Sequence, residues 1–157
     1  MSTSKLQSEL RQRKPFDSAE EEVFVGLQRT ASLAEYAFAD LLKDYGITPT
    51  QYNVLRILRG AGAEGLCRNE LRDRLVNRVP DATRLLERMA DLGLVSRDRD
   101  GPDRRFVTTR LTRKGLDLVN QLDGPVRRSH RKRLGHLGPD QLAELTRLLD
   151  AVREAQQ

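Results

Sequence analysis

Cysteine is nearly absent. A single thiol, Cys67, excludes an internal disulfide and any cysteine-rich zinc site. The two histidines, His130 and His136, stand six residues apart, whereas a ligand pair on one helix face prefers a spacing of three or four. Tryptophan is missing and aromatics make up 4% of the chain, so a core must be built mostly from aliphatic side chains. With 157 residues, 38% of them apolar and 32% charged, that core is thin, and burying a long helix against a second copy would help. No apolar run approaches the ~18–20 residues of a membrane span. Residues 1–15 carry Lys and Arg without the apolar stretch of a secretory signal, and a cytoplasmic protein is expected. A Gly-rich phosphate loop, a Gly-x-Ser-x-Gly elbow and a His-Glu-x-x-His helix are all missing. The carboxylates fall in caps and on helix surfaces, so no enzymatic centre, cofactor or metal site is expected.

What is present is positive charge in one place. The chain carries a net +5. Residues 66–114 alone hold thirteen basic and eight acidic side chains, while residues 15–65 hold four and eight. A localised basic surface facing a polyanion is the functional reading, and a solvated Arg-rich surface is the plain alternative.

The first sixteen residues read as a flexible basic arm. Ser18-Ala19-Glu20-Glu21 fits a capping box and opens a long helix. Phe24, Leu27, Ala31, Ala34, Phe38, Leu41 and Tyr45 follow at alternating spacings of three and four, a heptad seam suited to a partner subunit. Gly46 stops it. Thr48-Pro49-Thr50-Gln51 starts a second helix that ends at Gly60. A short helix over residues 68–75, a turn at 76–79 and a helix from 80 or 81 to 92 come next. Residues 94–97 and 105–111 read as two short strands of a hairpin with Gly101-Pro102 at its tip. Thr112 caps a further helix, which Gly124-Pro125 should kink or break. Gly138-Pro139-Asp140 opens the last helix, with Leu142, Leu145, Leu148, Leu149 and Val152 on its apolar face.

Two short helices joined by a tight turn form a helix-turn-helix, whose second helix can enter a DNA major groove. On that helix Ala82, Leu85, Leu86, Met89 and Leu92 share the inner face. Arg84 and Arg88, four apart, project together, with Thr83 near the helix start. An arginine fork can grip phosphate or a guanine edge. The hairpin adds Arg97, Arg99, Arg104, Arg105, Arg110, Arg113 and Lys114, with Asp98, Asp100 and Asp103 among them. Such a ribbon suits the negative minor groove, and an adjacent Asp holds an Arg extended. Each feature alone has a bland reading, a solvated helix face or a charged edge ribbon. Together they are much more specific.

Asp81-Ala82-Thr83-Arg84-Leu85-Leu86-Glu87-Arg88-Met89, then Leu92-Gly93-Leu94-Val95-Ser96-Arg97, resembles the recognition helix and first wing strand of the MarR family of winged-helix regulators. Asp103-Arg104-Arg105 followed by Leu111-Thr112-Arg113-Lys114-Gly115 resembles that family's wing signature and the entry to its next helix. Val79-Pro80-Asp81 departs from the Ser- or Thr-rich helix start of many relatives. The resemblance implies a mainly α fold with a small β-hairpin wing. The winged helix-turn-helix domain would occupy residues 17–155, with a DNA-binding core at about 48–112 between dimerisation helices at about 18–45 and 113–155.

It also implies a homodimer on double-stranded DNA, a repressor at a pseudo-palindromic operator, released by a small aromatic effector. The DNA-binding residues would be Thr83, Arg84 and Arg88 in the major groove and Arg99 with Arg104 at the wing. Asp103 would orient the wing arginine, and Arg97 and Arg105 would make backbone or structural contacts. Phe38, Tyr45, Tyr52 and Leu116 are the candidate lining for the effector, or simply core. The rival function is a winged-helix protein–protein interaction module with a basic face. A nucleoid-type binder without sequence choice is weaker. Cys67, beside Arg68, is read as a half-buried small residue more readily than as a redox sensor.

Overall fold

The computed structural model describes residues 4–99 and 107–156. The chain divides into two compact units, Met1–Pro49 and Thr50–Gln157. In the first, Ser4 caps helix α1 (Lys5–Glu9), its Oγ accepting the Gln7 N–H at 3.2 Å. The stretch expected as a flexible arm thus contains a turn of helix. Its apolar residue Leu6 accounts for this, since Leu6 packs over Gly26. Helix α2 (Ala19–Lys43) starts as expected, with the Ser18 Oγ accepting from the Glu21 N–H at 3.1 Å. The Glu21 carboxylate takes the N–H of Asp17 at 2.7 Å rather than that of Ser18. Gly46, at φ +71°, provides the left-handed turn after the helix. Leu42 and Ile47 are buried, but Phe24 on the heptad seam is 59% exposed, and Val23, Leu33 and Tyr36 are exposed beside it.

The second unit holds α3 (Pro49–Ala61), a 3-10 turn (Gly62–Glu64), β1 (Leu66–Cys67), α4 (Arg68–Arg74), α5 (Ala82–Asp91), β2 (Val95–Asp98), β3 (Thr108–Leu111), α6 (Arg113–Leu134) and α7 (Pro139–Glu154). The architecture is mainly α with a small sheet, as expected. The sheet has three antiparallel strands rather than two, in the order β1-β3-β2. Leu66 pairs with Thr109 on one side of β3, and Val95 pairs with Leu111 on the other. A two-residue strand leaves no period-2 signature, so β1 exists only through its pairing. Gly65, at φ +69°, makes that approach possible: a Cβ there would lie 2.5 Å from the Thr109 carbonyl oxygen. The core of this unit is Val54, Leu55 and Leu58 of α3, Leu71 of α4, Leu86 and Met89 of α5, Leu94 and Val95, and Val119, Leu122 and Val126 of α6.

Of the kink or break expected at Gly124-Pro125, the break does not occur, and α6 runs through Pro125. Proline restricts the residue before it by clashing with that residue's Cβ and N–H. Gly124 has no Cβ, which eases this one clash, while the lost hydrogen bond and the crowding of the ring against the carbonyl four residues earlier remain and are offset by the buried Leu122 and Val126. Leu92 also lies elsewhere than expected. It is the C-cap of α5 and 44% exposed, not part of the inner face, because the helix has ended before its side chain can reach the core.

Helices α3 and α6 are clamped by Arg59, whose guanidinium meets both Asp123 carboxylate oxygens at 2.9 Å and Asn120 Oδ1 at 2.9 Å. Arg59 holds the Asp123 carboxyl below its ordinary pKa, chiefly through these hydrogen bonds. A carboxylate depressed in the folded state contributes stability above its unfolded pKa and loses it as pH falls through the folded value. Asp123→Asn should therefore lower stability by about 0.2–1 kcal/mol at neutral pH, the range for a solvent-accessible ion pair. Urea denaturation should show that difference vanishing below the carboxylate range. A difference that persists unchanged in acid would mean that the clamp does not act through charge.

Candidate nucleic-acid interface

Helix α5 is fixed at both ends. At its start the Asp81 carboxylate accepts the Arg84 N–H at 2.9 Å, so the N-cap is aspartate where a Ser- or Thr-rich start is common. At its end Gly93, at φ +71°, donates to the Ala90 carbonyl at 2.8 Å, and Leu94 donates to Met89 at 3.0 Å. Two further carbonyls are taken by the entry to α6: the Thr112 hydroxyl donates to Gly93 O and the Lys114 ammonium to Leu92 O, each at 2.7 Å. Leu86 and Met89 are buried beneath. The turn before α5 is tied to α3 by the Val76 N–H, which donates to Asn53 Oδ1 at 2.9 Å.

On this braced helix Arg84 and Arg88 are exposed one turn apart, and neither guanidinium has a hydrogen bond or ion pair among the described residues. Thr83, beside them, accepts from the Arg68 guanidinium of α4 at 3.1 Å, which ties the two helices of the helix-turn-helix.

In the wing, Arg97 does not extend freely. It is 21% exposed and pairs with Glu87 of α5 at 3.4 Å, joining β2 to the helix. Arg110 spans the sheet, its Nε donating to the Ala63 carbonyl at 2.9 Å and its guanidinium facing Asp98 at 3.6 Å. Arg99 is exposed just past β2. Asp103, Arg104 and Arg105 lie outside the described residues. The bracing roles of Arg68 and Glu87 have no signature in the sequence. Their partners are fifteen and ten residues away along the chain, on other elements, and no local spacing shows such a pair.

Of the four candidate effector residues, Phe38 and Tyr45 are half-buried in the first unit, while in the second Tyr52 is buried and Leu116 half-buried. Burial raises the Tyr52 phenol above its usual pKa. Cys67 is a half-buried free thiol at the N-cap of α4, where Glu70 accepts its N–H at 2.9 Å. Among the described residues no group of three or more His, Cys, Asp or Glu side chains could hold a metal ion, and no helix is long and apolar enough to cross a membrane.

Residues 45–105 match the MarR family model. A MarR transcription factor from Planctomyces limnophilus is 39% identical, with 87% of this chain and 98% of that chain aligned and a TM-score of 0.67. The chain belongs to the MarR family. This is a family of transcriptional regulators. The HTH-type transcriptional regulator TtmR from Methylorubrum extorquens is 39% identical over 87 residues, which are 55% of this chain and 44% of that protein. The chain spans about half the length of the curated relatives it matches. Sco3205, a MarR family regulator from Streptomyces coelicolor crystallised in complex with DNA, shares the fold at 23% identity and a TM-score of 0.80, with 93% of each chain aligned.

In this MarR-family chain the Arg97–Glu87 pair links strand β2 of the wing to α5. A double-mutant cycle with Arg97→Gln and Glu87→Gln, read by urea denaturation, should give a coupling of about 0.5–1 kcal/mol. Strictly additive changes would show that the wing and the helix are not coupled through these side chains.

Proposed function

We propose that the chain is a sequence-specific DNA-binding transcriptional regulator that acts as a homodimeric repressor, occupying a pseudo-palindromic operator and excluding polymerase. The observation that carries the reading is the pair Arg84 and Arg88. Two guanidiniums without partners project from a helix whose start, end and underside are all fixed. Arginines on a flexible element would lose binding energy to ordering of both backbone and side chain, and here the backbone part of that cost is already met by the fold. In this reading Thr83, Arg84 and Arg88 work in the major groove. Arg99 and Arg104 work at the wing with Asp103 orienting Arg104, while Arg97 and Arg105 make structural or backbone contacts. The relative solved with DNA and the shared family support the class of partner.

The dimer reading rests on apolar surface that one copy leaves uncovered: Phe24 and Leu33 on α2, and Leu145, Leu148 and Val152 on α7. A small aromatic effector would act by favouring the dimer geometry that does not fit DNA. A tenfold loss of affinity needs about 1.4 kcal/mol of coupling.

Arg84→Ala should reduce the preference for operator over random duplex by about 1–3 kcal/mol if the side chain reads a base. If it touches phosphate alone, both affinities should fall together and the salt slope should flatten by about one unit. Unchanged affinity for every duplex would remove Arg84 from the interface and favour a protein–protein module. Charged residues at both Leu145 and Leu149 should give monomer or insoluble protein. Sedimentation of the wild type as a monomer at micromolar concentration would defeat the dimer reading.

A further inference from the structure

The end of α6 carries positive charge that the winged helix does not use. Between Asp123 and Asp140 the chain has no acidic residue, and Arg127, Arg128, Arg131, Lys132 and Arg133 all fall there. Elsewhere in the second unit, outside the helix-turn-helix and the wing, the cations are occupied. Arg59, Arg113, Arg147 and Arg153 hold carboxylates, Arg56 hydrogen-bonds the Tyr52 phenol, and Lys114 donates to Leu92 O. Arg127 is near Asp123, which Arg59 already clamps. Arg128, Arg131, Lys132 and Arg133 are exposed, and among the described residues they have neither a hydrogen-bond nor an ion-pair partner. The condition that marks Arg84 and Arg88 on α5 thus recurs here.

Helical spacing puts Arg128, Arg131 and Lys132 on the face opposite buried Val119, Leu122 and Val126. Gly124 is on that outer face too. The Arg128 guanidinium lies over it, since a Cβ there would be 3.3 Å from Arg128 Nη1. The helix dipole favours cations in the last turn, which accounts for Arg133, but Arg128 precedes that turn. Arg128 and Lys132, like charges four apart, weaken the helix that carries them, and a bound polyanion removes that cost. Arg128 is about 24 Å along the helix from Thr112 at the wing base, about three Debye lengths at physiological salt. The face is therefore electrostatically separate from the α5 and wing surface.

The chemistry of the face selects among polyanions. Residues 125–138 contain no Phe, Tyr or Trp, so there is no platform on which the bases of a single strand could stack. Protein interfaces centre on apolar or aromatic anchors, and Arg128, Arg131 and Lys132 surround none. Three cations within about 6 Å of helix axis match the duplex, which presents one phosphate charge per about 1.7 Å. A protein held on DNA by α5 also meets neighbouring duplex at high effective concentration.

We propose that the outer face of α6 at Arg128, Arg131 and Lys132 is a second DNA site, which grips the phosphates of another duplex segment without reading its sequence. The protein then bridges two segments, one at α5 and the wing and one at α6. The inference rests on the DNA-binding reading above and adds a separate surface to it.

The test holds full-length protein on beads through a tethered duplex and offers it a second, fluorescent duplex of random sequence. The wild type should capture the second duplex, and the logarithm of that affinity should fall against the logarithm of salt with a slope of about −2.7 per face, for three phosphate contacts. R128Q/R131Q/K132Q should stay on the tethered duplex and capture at least tenfold less of the second. R128K/R131K, which keeps the charge, should restore capture, and this separates lost charge from a damaged helix. Capture that survives the glutamine variant unchanged would overturn the proposal, because α5 of two copies would then be holding both duplexes. Poly-glutamate competing as well as unlabelled duplex at equal charge would give the face to an acidic protein and overturn it too. An altered oligomeric state of the glutamine variant in sedimentation would assign the face to subunit contact, with the same consequence. A wild type that holds the tethered duplex but not the second refutes this site alone. A wild type that holds neither refutes the DNA-binding reading and the site with it.

Discussion

The hydroxyl of Thr112 makes two bonds at once. It donates to the carbonyl of Gly93, which closes α5, and it accepts the N–H of Gly115, which opens α6. Its own N–H donates to Leu94 at 3.2 Å, next to the paired residues Val95 and Leu111. The end of α5, the base of the wing and the start of the long α6 therefore meet at one side chain. Gly115 is part of the same constraint, because any Cβ there would collide with the Leu94 carbonyl. With the chain fixed at that junction, α5 has a defined pitch relative to the sheet. Asp81 and the Arg97–Glu87 pair then complete the support that leaves Arg84 and Arg88 free to face outward.

Much of this was legible because the deciding signals are local. Ser18, Asp81, Thr112 and the glycines after α2 and α5 act within three or four residues of where they stand, and the sequence shows those spacings directly. The exposed pairing of Arg84 with Arg88 follows from the same periodicity. Strand β1 was not legible, since two residues become a strand only by meeting Thr108 and Thr109 from a distant part of the chain. The continuation of α6 past Gly124-Pro125 was not legible either, since two helix-disfavouring residues are outweighed by the burial of Leu122 and Val126 on either side of them. Leu92 fits the apolar period, but the helix stops one residue too soon for its side chain to reach the core. The ties from Arg68 to Thr83 and from Glu87 to Arg97 need the fold itself. The family resemblance covered nearly the whole chain, and the shared MarR membership agrees with it.

The distribution of charge and apolar surface explains why so lean a composition suffices. The aliphatic core of the second unit is compact and nearly complete within one copy. In contrast, α7 has no buried residue and much of α2 is uncovered. Association would supply the burial that 4% aromatics cannot. It would also set the spacing between two recognition helices, which a single copy has no means of doing.

The central claim is that the fixed helix α5 reads duplex DNA in two symmetric copies. Selection of bound duplexes from a random-sequence pool by the wild-type protein, at about physiological salt, tests it most directly. The account predicts an enriched inverted repeat whose half-site centres lie about one helical turn, ~34 Å, apart. A bound pool with no enriched sequence, or a single half-site without a symmetric mate, would contradict it.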